Sequence, residues 1–414
     1  MKSPAPTRGG IEEIAPEEGS KEIRGCEEDR REVNFSPLPD EAEPMPEPNE
    51  QTLFDGLPVP AAPEANQVSF GVALLALSLA PGIGQVGISK LVTAFGDELG
   101  RIFWQSRREL AETMRDLGLR DPVKLSETVA DKADHLIKQG NNTWNALQSR
   151  RVSVIPPSKI PDRLKELDTD APRWLFVQGS VDVLSQRPII AVVGTRKPTP
   201  QGKRAADTIA KVLSPYPVTI VSGLADGIDA AAHDSTLRRD LKNIAFLGHG
   251  INIIFPEQTS GLREKIVEAE GAVVSEYLPH QSYQKQQFVR RNRLQAALAD
   301  IIIPVEANLQ SGTMHTVRYA REYGRTLLGV RWEGRNGIVS DLAEHGDRVI
   351  DIFTPHGQQE LDSIVQKLVE DTGEEPYSLK LVESSVLKEL KTRSVPQKDV
   401  DRLIQAIRQA TQKE

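Results

Sequence analysis

Residues 189–196 read IIAVVGTR, a run of five apolar residues followed by a glycine, a threonine and an arginine. A continuous apolar run of this length is typical of a strand that is buried on both faces, as in a parallel sheet. Glycine lets the backbone approach a ligand closely, and arginine adds a fork of hydrogen-bond donors. The stretch therefore predicts a buried strand whose carboxyl end, at Gly194, Thr195 and Arg196, faces an anion.

The same alternation continues along the chain on both sides of this strand. Short strand-like runs alternate with segments long enough for helices, which predicts βαβ units and a mostly parallel sheet with helices on both faces. The expected fold class is therefore α/β, with a doubly wound sheet. Further strand-like runs lie at 175–177, 218–221, 244–247, 272–274, 301–305 and 326–330, and helical segments at 201–214, 226–239, 258–270, 287–299 and 312–323.

Composition divides the chain into four parts. Residues 1–68 hold eleven of the 28 prolines and a net charge of −10, so we expect a disordered acidic tail, because such a segment buries too little apolar surface to order itself. It is either a solvated spacer or an acidic peptide that competes with nucleic acid or binds a basic partner. Helical spacing predicts a small helical domain over 69–150, and the alternating pattern predicts an α/β domain over 151–340. Residues 341–414 predict a helical C-terminal segment with room for a winged helix.

The distribution of charge changes the meaning of the formal net charge of −8. That value argues against a nucleic-acid binder for the whole chain, but the residues after 68 carry +2, the difference between −8 and −10. Between Tyr283 and Arg331, eight basic residues stand against three acidic ones. For residues 290–293, next to Phe288, we expect contacts with backbone phosphates and stacking on a base.

Several classes of protein are excluded by what the chain lacks. The single cysteine, Cys26, permits neither a disulfide framework nor a cysteine-based metal site, and we expect no metal or cofactor. The N-terminus lacks the apolar core of a signal peptide, and the longest apolar-rich stretch, 72–80, is far shorter than the roughly 20 residues that span a bilayer. We therefore expect a cytoplasmic protein with no membrane partner.

Glycines and hydroxyl residues follow several of the predicted strands. They lie at 222–227, 248–250 and 311–313. Because the carboxyl ends of parallel strands share one edge of the sheet, these residues predict a rim that binds an anion, most simply a phosphate. The predicted binding residues are Gly194, Thr195, Arg196, Ser222, Gly223, Gly227, Gly248, Gly250, Ser311, Gly312 and Thr313, together with Arg290, Arg291, Asn292 and Arg293 of the basic segment.

Standard nucleotide-binding and catalytic motifs are missing from this rim. Gly202-Lys203 is followed by Arg204 where a P-loop needs serine or threonine, no G-x-G-x-x-G follows a strand, and no G-x-S-x-G is present. Asp229 and His233 share a helix face, but no third ligand accompanies them, so we interpret Asp229 as a loop-ordering group rather than a metal ligand. No catalytic residue is predicted.

Several motifs resemble, in order and spacing, those of the DprA/Smf DNA-processing family. They are GTR at 194–196, SGLADGIDAAAH at 222–233, SEY at 275–277, FVRRNR at 288–293 and the segment from Glu306-Ala307 to Ser311-Gly312-Thr313, preceded by IPDRL at 160–164 and PRWLFVQG at 172–179. The resemblance covers about residues 155–331. Residues 69–105 are similar to the helical module that is often fused to that family.

The resemblance implies an extended Rossmann-like fold without enzymatic turnover. It also implies a homodimer that binds single-stranded DNA and loads the recombinase RecA onto it during natural transformation. The family's phosphate-gripping arginine falls on Arg196, and its Arg-Asn-Arg motif falls on Arg291, Asn292 and Arg293.

Three departures from the family pattern predict a weaker or differently shaped grip on DNA. Val289 stands where the family often has proline, and Val-Arg-Trp at 330–332 replaces Val-Pro-Gly. Glu257 stands where some members carry a basic residue. Residues 80–91 also resemble a helix–hairpin–helix, for which phosphate contact and packing on the main domain are both open.

Two alternative functions use the same rim. Related folds include phosphoribohydrolases with a Pro-Gly-Gly-x-Gly-Thr-x-x-Glu signature, and aligning its Gly-Thr on Gly312-Thr313 puts Thr316 where the catalytic glutamate belongs. The chain therefore lacks the carboxylate of a nucleotide-processing enzyme. A sensor of a small nucleotide remains an open alternative.

Overall fold

A nine-stranded sheet organises the computed structural model, which describes residues 68–333 and 337–373. The predicted acidic tail, apart from Val68, lies outside the described residues, as do residues 374–414 and the winged helix expected there. No helix within the described part of the chain is long and apolar enough to cross a membrane.

All seven predicted strands are present in the sheet. The strands are β1 (Val152–Ile155), β2 (Leu175–Gly179), β3 (Ile189–Val193), β4 (Thr219–Ser222), β5 (Lys242–Phe246), β6 (Ala272–Ser275), β7 (Ile301–Pro304), β8 (Thr326–Arg331) and β9 (Arg348–Asp351). Their order in the sheet is β1-β2-β6-β5-β4-β3-β7-β8-β9. The pairs β1·β2 and β2·β6 are antiparallel, and every other neighbouring pair is parallel. The doubly wound, mostly parallel α/β fold is confirmed, and the strand order reverses between β3 and β7.

Alternate residues of β3 face opposite sides of the sheet, and helices cover both. Ile189 packs with α10 (Lys285–Leu298) and α11 (Thr313–Glu322) in one buried cluster, whereas Ile190 packs with α7 (Pro200–Leu213) and α8 (Ile228–Leu237) in another. This two-sided burial is the reason that the strand reads as a continuous apolar run. The remaining helices around the sheet are α6 (Asp162–Lys165), α9 (Ser260–Glu268), α12 (Gly337–Glu344) and α13 (Pro355–Asp371).

Residues before β1 form a helical module around a buried central helix. Its helices are α1 (Phe70–Ser78), α2 (Gln85–Phe95), α3 (Arg107–Asp116), α4 (Pro122–Asp131) and α5 (Ala133–Gln148). Helix α1 is buried from Phe70 to Leu77, and the ring of Trp144 in α5 lies against Gly71, where a side chain would clash. One apolar cluster joins α1 to Phe176 of β2, so the module packs on the sheet.

The C-terminal boundary of the predicted α/β domain needs a correction. From the sequence we place residues 341–414 in a helical segment, but within it β9 pairs in parallel with β8 and extends the sheet. Helix α13 then packs Leu361 and Val365 into the apolar cluster that contains Ile190. Ile350 is the one fully buried residue of the four in β9, so this edge strand leaves almost no apolar pattern in the sequence.

Leu361→Ala tests whether α13 is part of the α/β core. Leu361 is 0% exposed, and truncation should lower the free energy of unfolding by about 2–5 kcal/mol because a cavity remains. Urea titration followed by circular dichroism measures this. Leu79→Ala, at a side chain that is 44% exposed, should cost about 0.5 kcal/mol or less. Equal costs for the two variants would contradict the packing of α13.

Candidate nucleic-acid interface

The backbone segments after β3 and β4 lie in contact with each other at the start of α8. A Cβ atom on Gly194 would lie 2.6 Å from Ile228, and one on Gly227, whose φ is +94°, would lie 2.3 Å from the carbonyl oxygen of Thr195. The amide of Ile228 donates a hydrogen bond of 3.0 Å to that same oxygen. Glycine at these two positions therefore brings the two strand ends together.

Asp229 orders the turn that precedes α8. Its buried carboxylate accepts a 3.1 Å hydrogen bond from the amide of Gly223. Burial raises the pKa of Asp229, while the charge of Arg291 and hydrogen bonds from backbone amides oppose that rise. His233, on the same helix, is fully buried, contacts Asn243 through Nδ1 and has its pKa lowered to about 4 by burial. The interpretation of Asp229 as a loop-ordering group is confirmed.

Arg291 lies beneath the turn and connects α10 to two strands. Its Nη1 donates to the carbonyl oxygens of Gly223, at 2.8 Å, and Phe246. Burial lowers the pKa of Arg291 to about 10, and the neighbouring charge of Asp229 opposes this. The guanidinium is therefore a charged, buried group at neutral pH, with part of its hydrogen-bonding capacity used by the protein itself.

The prediction of a phosphate contact by Arg293 is corrected by the structure. The side chain of Arg293 is 1% exposed, and its two Nη atoms donate to the two carboxylate oxygens of Glu276 at 2.7 and 2.6 Å. Its Nε donates to the carbonyl oxygen of Asp170 at 3.0 Å. Each nitrogen of this guanidinium donates to an acceptor of the protein, and the side chain is buried, so Arg293 is a structural residue rather than a phosphate contact.

A cavity of about 720 Å³ lies outside the carboxyl end of β3, bordered by α10 and α11. We call it the β3 cavity. Seven of the predicted residues do not line it: Ser222, Gly223, Gly227, Gly248, Gly250, Arg290 and Arg293. Eight do, and they are Gly194, Thr195, Arg196, Arg291, Asn292, Ser311, Gly312 and Thr313.

The residues outside the β3 cavity support its walls, apart from Arg290, which faces another cleft. Ser222 donates its hydroxyl to the carbonyl oxygen of Val192 at 2.6 Å. Side chains at the two buried glycines after β5 would clash, at Gly248 with Phe288 and at Gly250 with the carbonyl oxygen of Leu278. These glycines are needed for close packing rather than for contact with a ligand.

Aromatic rings form one wall of the β3 cavity. The rings of Phe255 and Tyr283 stack with centroids 3.9 Å apart, and Phe288 lies 5.7 Å from Phe255. Tyr283 is 45% exposed, so its ring is accessible to a planar ligand. Phe288 is predicted from the sequence, but Phe255 and Tyr283 are not, because their only signal is an aromatic residue in the loops after β5 and β6.

Cations without acidic partners line the rim of the same cavity. The guanidinium carbon of Arg196 lies 5.2 Å from the centroid of the Phe288 ring. Neither Arg196 nor Lys197 nor Lys285 forms an ion pair with any residue between 68 and 333 or 337 and 373. The rim therefore combines positive charge with an accessible aromatic surface.

Two residues that line the β3 cavity have hydrogen-bonding atoms without a partner. Gln295 is 1% exposed, yet its Nε2 has no partner among the described residues, and the same holds for the buried Oγ of Ser311. Both residues line the cavity. Buried polar atoms of this kind are ordinarily hydrogen-bonded, so the cavity can accept a polar ligand group.

Carboxylates near the β3 cavity are already used within the protein. Asp229 is the one acidic residue among the described residues that line it. Glu306, at the end of β7, accepts hydrogen bonds from the amide and hydroxyl of Thr199 at 2.9 and 3.1 Å and thereby holds the start of α7. Thr316 is buried on the cavity wall. The described part of the chain contains no cluster of three or more side chains that could hold a metal.

Comparison with known proteins matches the α/β part of the chain to one family. Residues 151–346 match the model of a family described as DNA recombination-mediator protein A. Protein Smf of Synechocystis is 33% identical over 269 residues, covering 62% of this chain and 63% of that protein. DNA processing protein DprA of Streptococcus pneumoniae is 36% identical over 176 residues, covering 42% of this chain and 61% of that protein. The chain thus spans less than two thirds of the length of either relative.

A solved structure extends the match to the architecture. The X-ray structure of DNA processing protein A from Streptococcus pneumoniae aligns with a TM-score of 0.53 and 27% sequence identity. The alignment covers 68% of this chain and 94% of that one. The likeness therefore includes more of the chain than the matched family model alone.

Arg293→Ala tests whether this residue is structural. Removing one partner of a buried pair leaves the Glu276 carboxylate unpaired, so we expect a loss of about 3–5 kcal/mol in the free energy of unfolding. Urea titration measures the loss. Arg290→Ala is the matched control, because its side chain is 58% exposed and 3.9 Å from Asp170, and it should cost about 0–1 kcal/mol. A similar cost for both variants would show that Arg293 is not held as described.

Proposed function

Because residues 151–346 match the model of the DNA recombination-mediator protein A (DprA/Smf) family, we propose that this chain is a member of that family and binds single-stranded DNA in the β3 cavity. In this proposal the protein holds the strand without chemical turnover. Unpaired cations grip the phosphates, and the aromatic wall stacks on the bases.

One observation carries the proposal, namely that free cations and an exposed aromatic stack share the same cavity. Arg196 and Lys285 provide positive charge for a backbone phosphate, which is the sequence-independent part of nucleic-acid affinity. Tyr283 and Phe255 provide a ring face for a base. A duplex keeps its bases stacked on one another, so the ring face favours an unpaired strand over a duplex.

The chemistry of the β3 cavity favours binding over catalysis. Asp229 is buried and hydrogen-bonded, and Glu306 is engaged with Thr199, so neither carboxylate is free to act as a general base. Thr316 occupies the position at which a phosphoribohydrolase would carry its glutamate. These features support a binding protein over a nucleotide-processing enzyme.

Delivery of the strand to a RecA-type recombinase and assembly as a homodimer complete the proposal. Both steps rest on the family resemblance of the motifs at 194–196 and 288–293. In this scheme the protein acts in DNA recombination, including natural transformation, as a cytoplasmic homodimer that passes the bound strand to the recombinase.

Arg196→Ala should weaken the binding of single-stranded oligonucleotides of every sequence. Loss of one phosphate contact is expected to cost about 1–2 kcal/mol at low salt and to reduce the slope of log K against log salt by about 0.7. Fluorescence anisotropy across a salt series measures both quantities. Arg204→Ala is the matched control, because Arg204 also lies over a phenylalanine ring, 5.0 Å from Phe353, but does not line the β3 cavity. If Arg196→Ala and Arg204→Ala bind the oligonucleotide with equal affinity, Arg196 is not the residue that contacts the phosphate.

Tyr283→Ala should remove a stacking contact whose effect persists at high salt. The expected loss is about 1–3 kcal/mol, whereas Tyr283→Phe, which keeps the ring, should bind as the unmodified protein does. Tyr319→Ala serves as the control, since Tyr319 stacks on Tyr323 away from the cavity. The same anisotropy measurements at two salt concentrations provide the test. Equal losses for the alanine and phenylalanine variants would rule out stacking as the role of Tyr283.

A further inference from the structure

A second cavity, of about 800 Å³, lies between α2 of the helical module and the first turns of α10. We call it the α2–α10 cleft. Helix α2 contributes Gln85, Val86 and Lys90, and the chain before β2 contributes Arg173 and Trp174. The opposite side is formed by residues that lead into and begin α10, and these are Gln281, Gln284, Gln286, Gln287 and Arg290.

Two buried polar atoms of the cleft lack hydrogen-bond partners. Trp174 is 3% exposed, and its indole Nε1–H has no acceptor among the described residues. The side-chain Oε1 of Gln281 is likewise buried without a donor. Buried groups of this kind are costly unless something satisfies them. The cleft therefore offers one unused donor and one unused acceptor to a bound molecule.

Positive charge dominates the polar lining of the cleft. Arg173 forms no ion pair within the described ranges, and Arg290 comes no closer than 3.9 Å to a carboxylate, that of Asp170. Of the two acidic residues that line the cleft, Glu276 is neutralised by Arg293, and Asp116 is exposed. An anionic ligand is therefore favoured over a neutral or cationic one.

The cleft is separated from the β3 cavity by the start of α10 and the loop before it. Tyr283, Lys285 and Phe288 line the β3 cavity, whereas Gln281 and Gln287 line the cleft. The intervening wall is one helix thick, about 10–12 Å with side chains. A DNA strand bound in the β3 cavity therefore needs to extend only over this one helix to reach the cleft.

We propose that the α2–α10 cleft binds a nucleotide. The edge of the nucleotide's base presents acceptors and donors side by side and would form hydrogen bonds with Trp174 and Gln281. The phosphate of the nucleotide would lie at Arg173 and Arg290. The nucleotide is either the continuation of a strand held in the β3 cavity or a free mononucleotide. The first source rests on the proposed function, and the second does not.

Trp174→Phe tests the strand source, because it removes the unpartnered N–H and keeps an aromatic ring in place. Anisotropy is measured with mixed-sequence oligonucleotides from about 6 to about 30 nucleotides. Short strands fill the β3 cavity alone, so their affinity should not change. Long strands should lose about threefold to tenfold in affinity, the value of one hydrogen bond. Trp144→Phe, the same change in the helical module away from the cleft, should leave all affinities unchanged.

If Trp174→Phe perturbs folding, a second variant can test the strand source in its place. Combining Arg173→Gln with Arg290→Gln removes the two arginine charges proposed to hold the phosphate, without altering a buried ring. This double variant should show the same selective loss for long strands. An equal loss at every strand length in both variants, or no loss in either, would overturn the strand source.

Thermal shift with nucleoside 5′-monophosphates, in the absence of DNA, tests the free-nucleotide source. A ligand that binds the native state raises the melting temperature. The rise should be equal in the unmodified protein, Trp144→Phe and Arg196→Ala, and smaller in Trp174→Phe at the same nucleotide concentration, because the affinity falls threefold to tenfold. Failure of both the length test and the thermal test would overturn the cleft as a nucleotide site. Failure of the unmodified protein to bind any oligonucleotide would instead overturn the proposed function, and the thermal test would then decide the cleft alone.

Discussion

A single buried guanidinium holds together the elements around the β3 cavity. Arg291, on α10, donates to the carbonyl oxygens of Gly223 after β4 and Phe246 at the end of β5, and it lies opposite the buried carboxylate of Asp229 on α8. A side chain at Gly223 would collide with this guanidinium, 2.4 Å from its Nη2. The position of α10, and with it the aromatic wall and the rim, therefore depends on one buried charge.

The four residues at 290–293 show that residue type alone predicts only part of a binding site. On a helix, successive side chains point in different directions, and only two of these four, Arg291 and Asn292, line the β3 cavity. Arg290 faces the α2–α10 cleft, Arg291 lies beneath the β3 cavity, Asn292 donates to the carbonyl oxygen of Gly312 at 3.1 Å, and Arg293 pairs with Glu276. Charge and proximity to Phe288 predicted phosphate contact for all four. The role of Arg293 is determined by its partner Glu276, which follows β6 and lies outside α10, so only the folded structure reveals the pair.

The central sheet was predictable because its strands are buried on both faces. Two-sided burial produces the apolar runs at 189–193 and 301–304, and these were read correctly. The sequence does not predict the edge strands β1 and β9, because Ser153 interrupts the apolar residues of β1 and β9 buries only Ile350 completely. The pairing of Phe255 with Tyr283 was also invisible, because these residues lie in separate loops and meet only after the sheet places their ends together.

The start of α10 borders two cavities at once, and this sharing has a thermodynamic consequence. Any ligand that shifts or stiffens α10 on the side of Phe288 acts on the side of Gln287 through the same rigid element. The resulting coupling free energy is reciprocal: a factor by which one occupant changes the affinity for the second is the factor by which the second changes the affinity for the first. A helix of this kind makes the two cavities parts of one linked equilibrium.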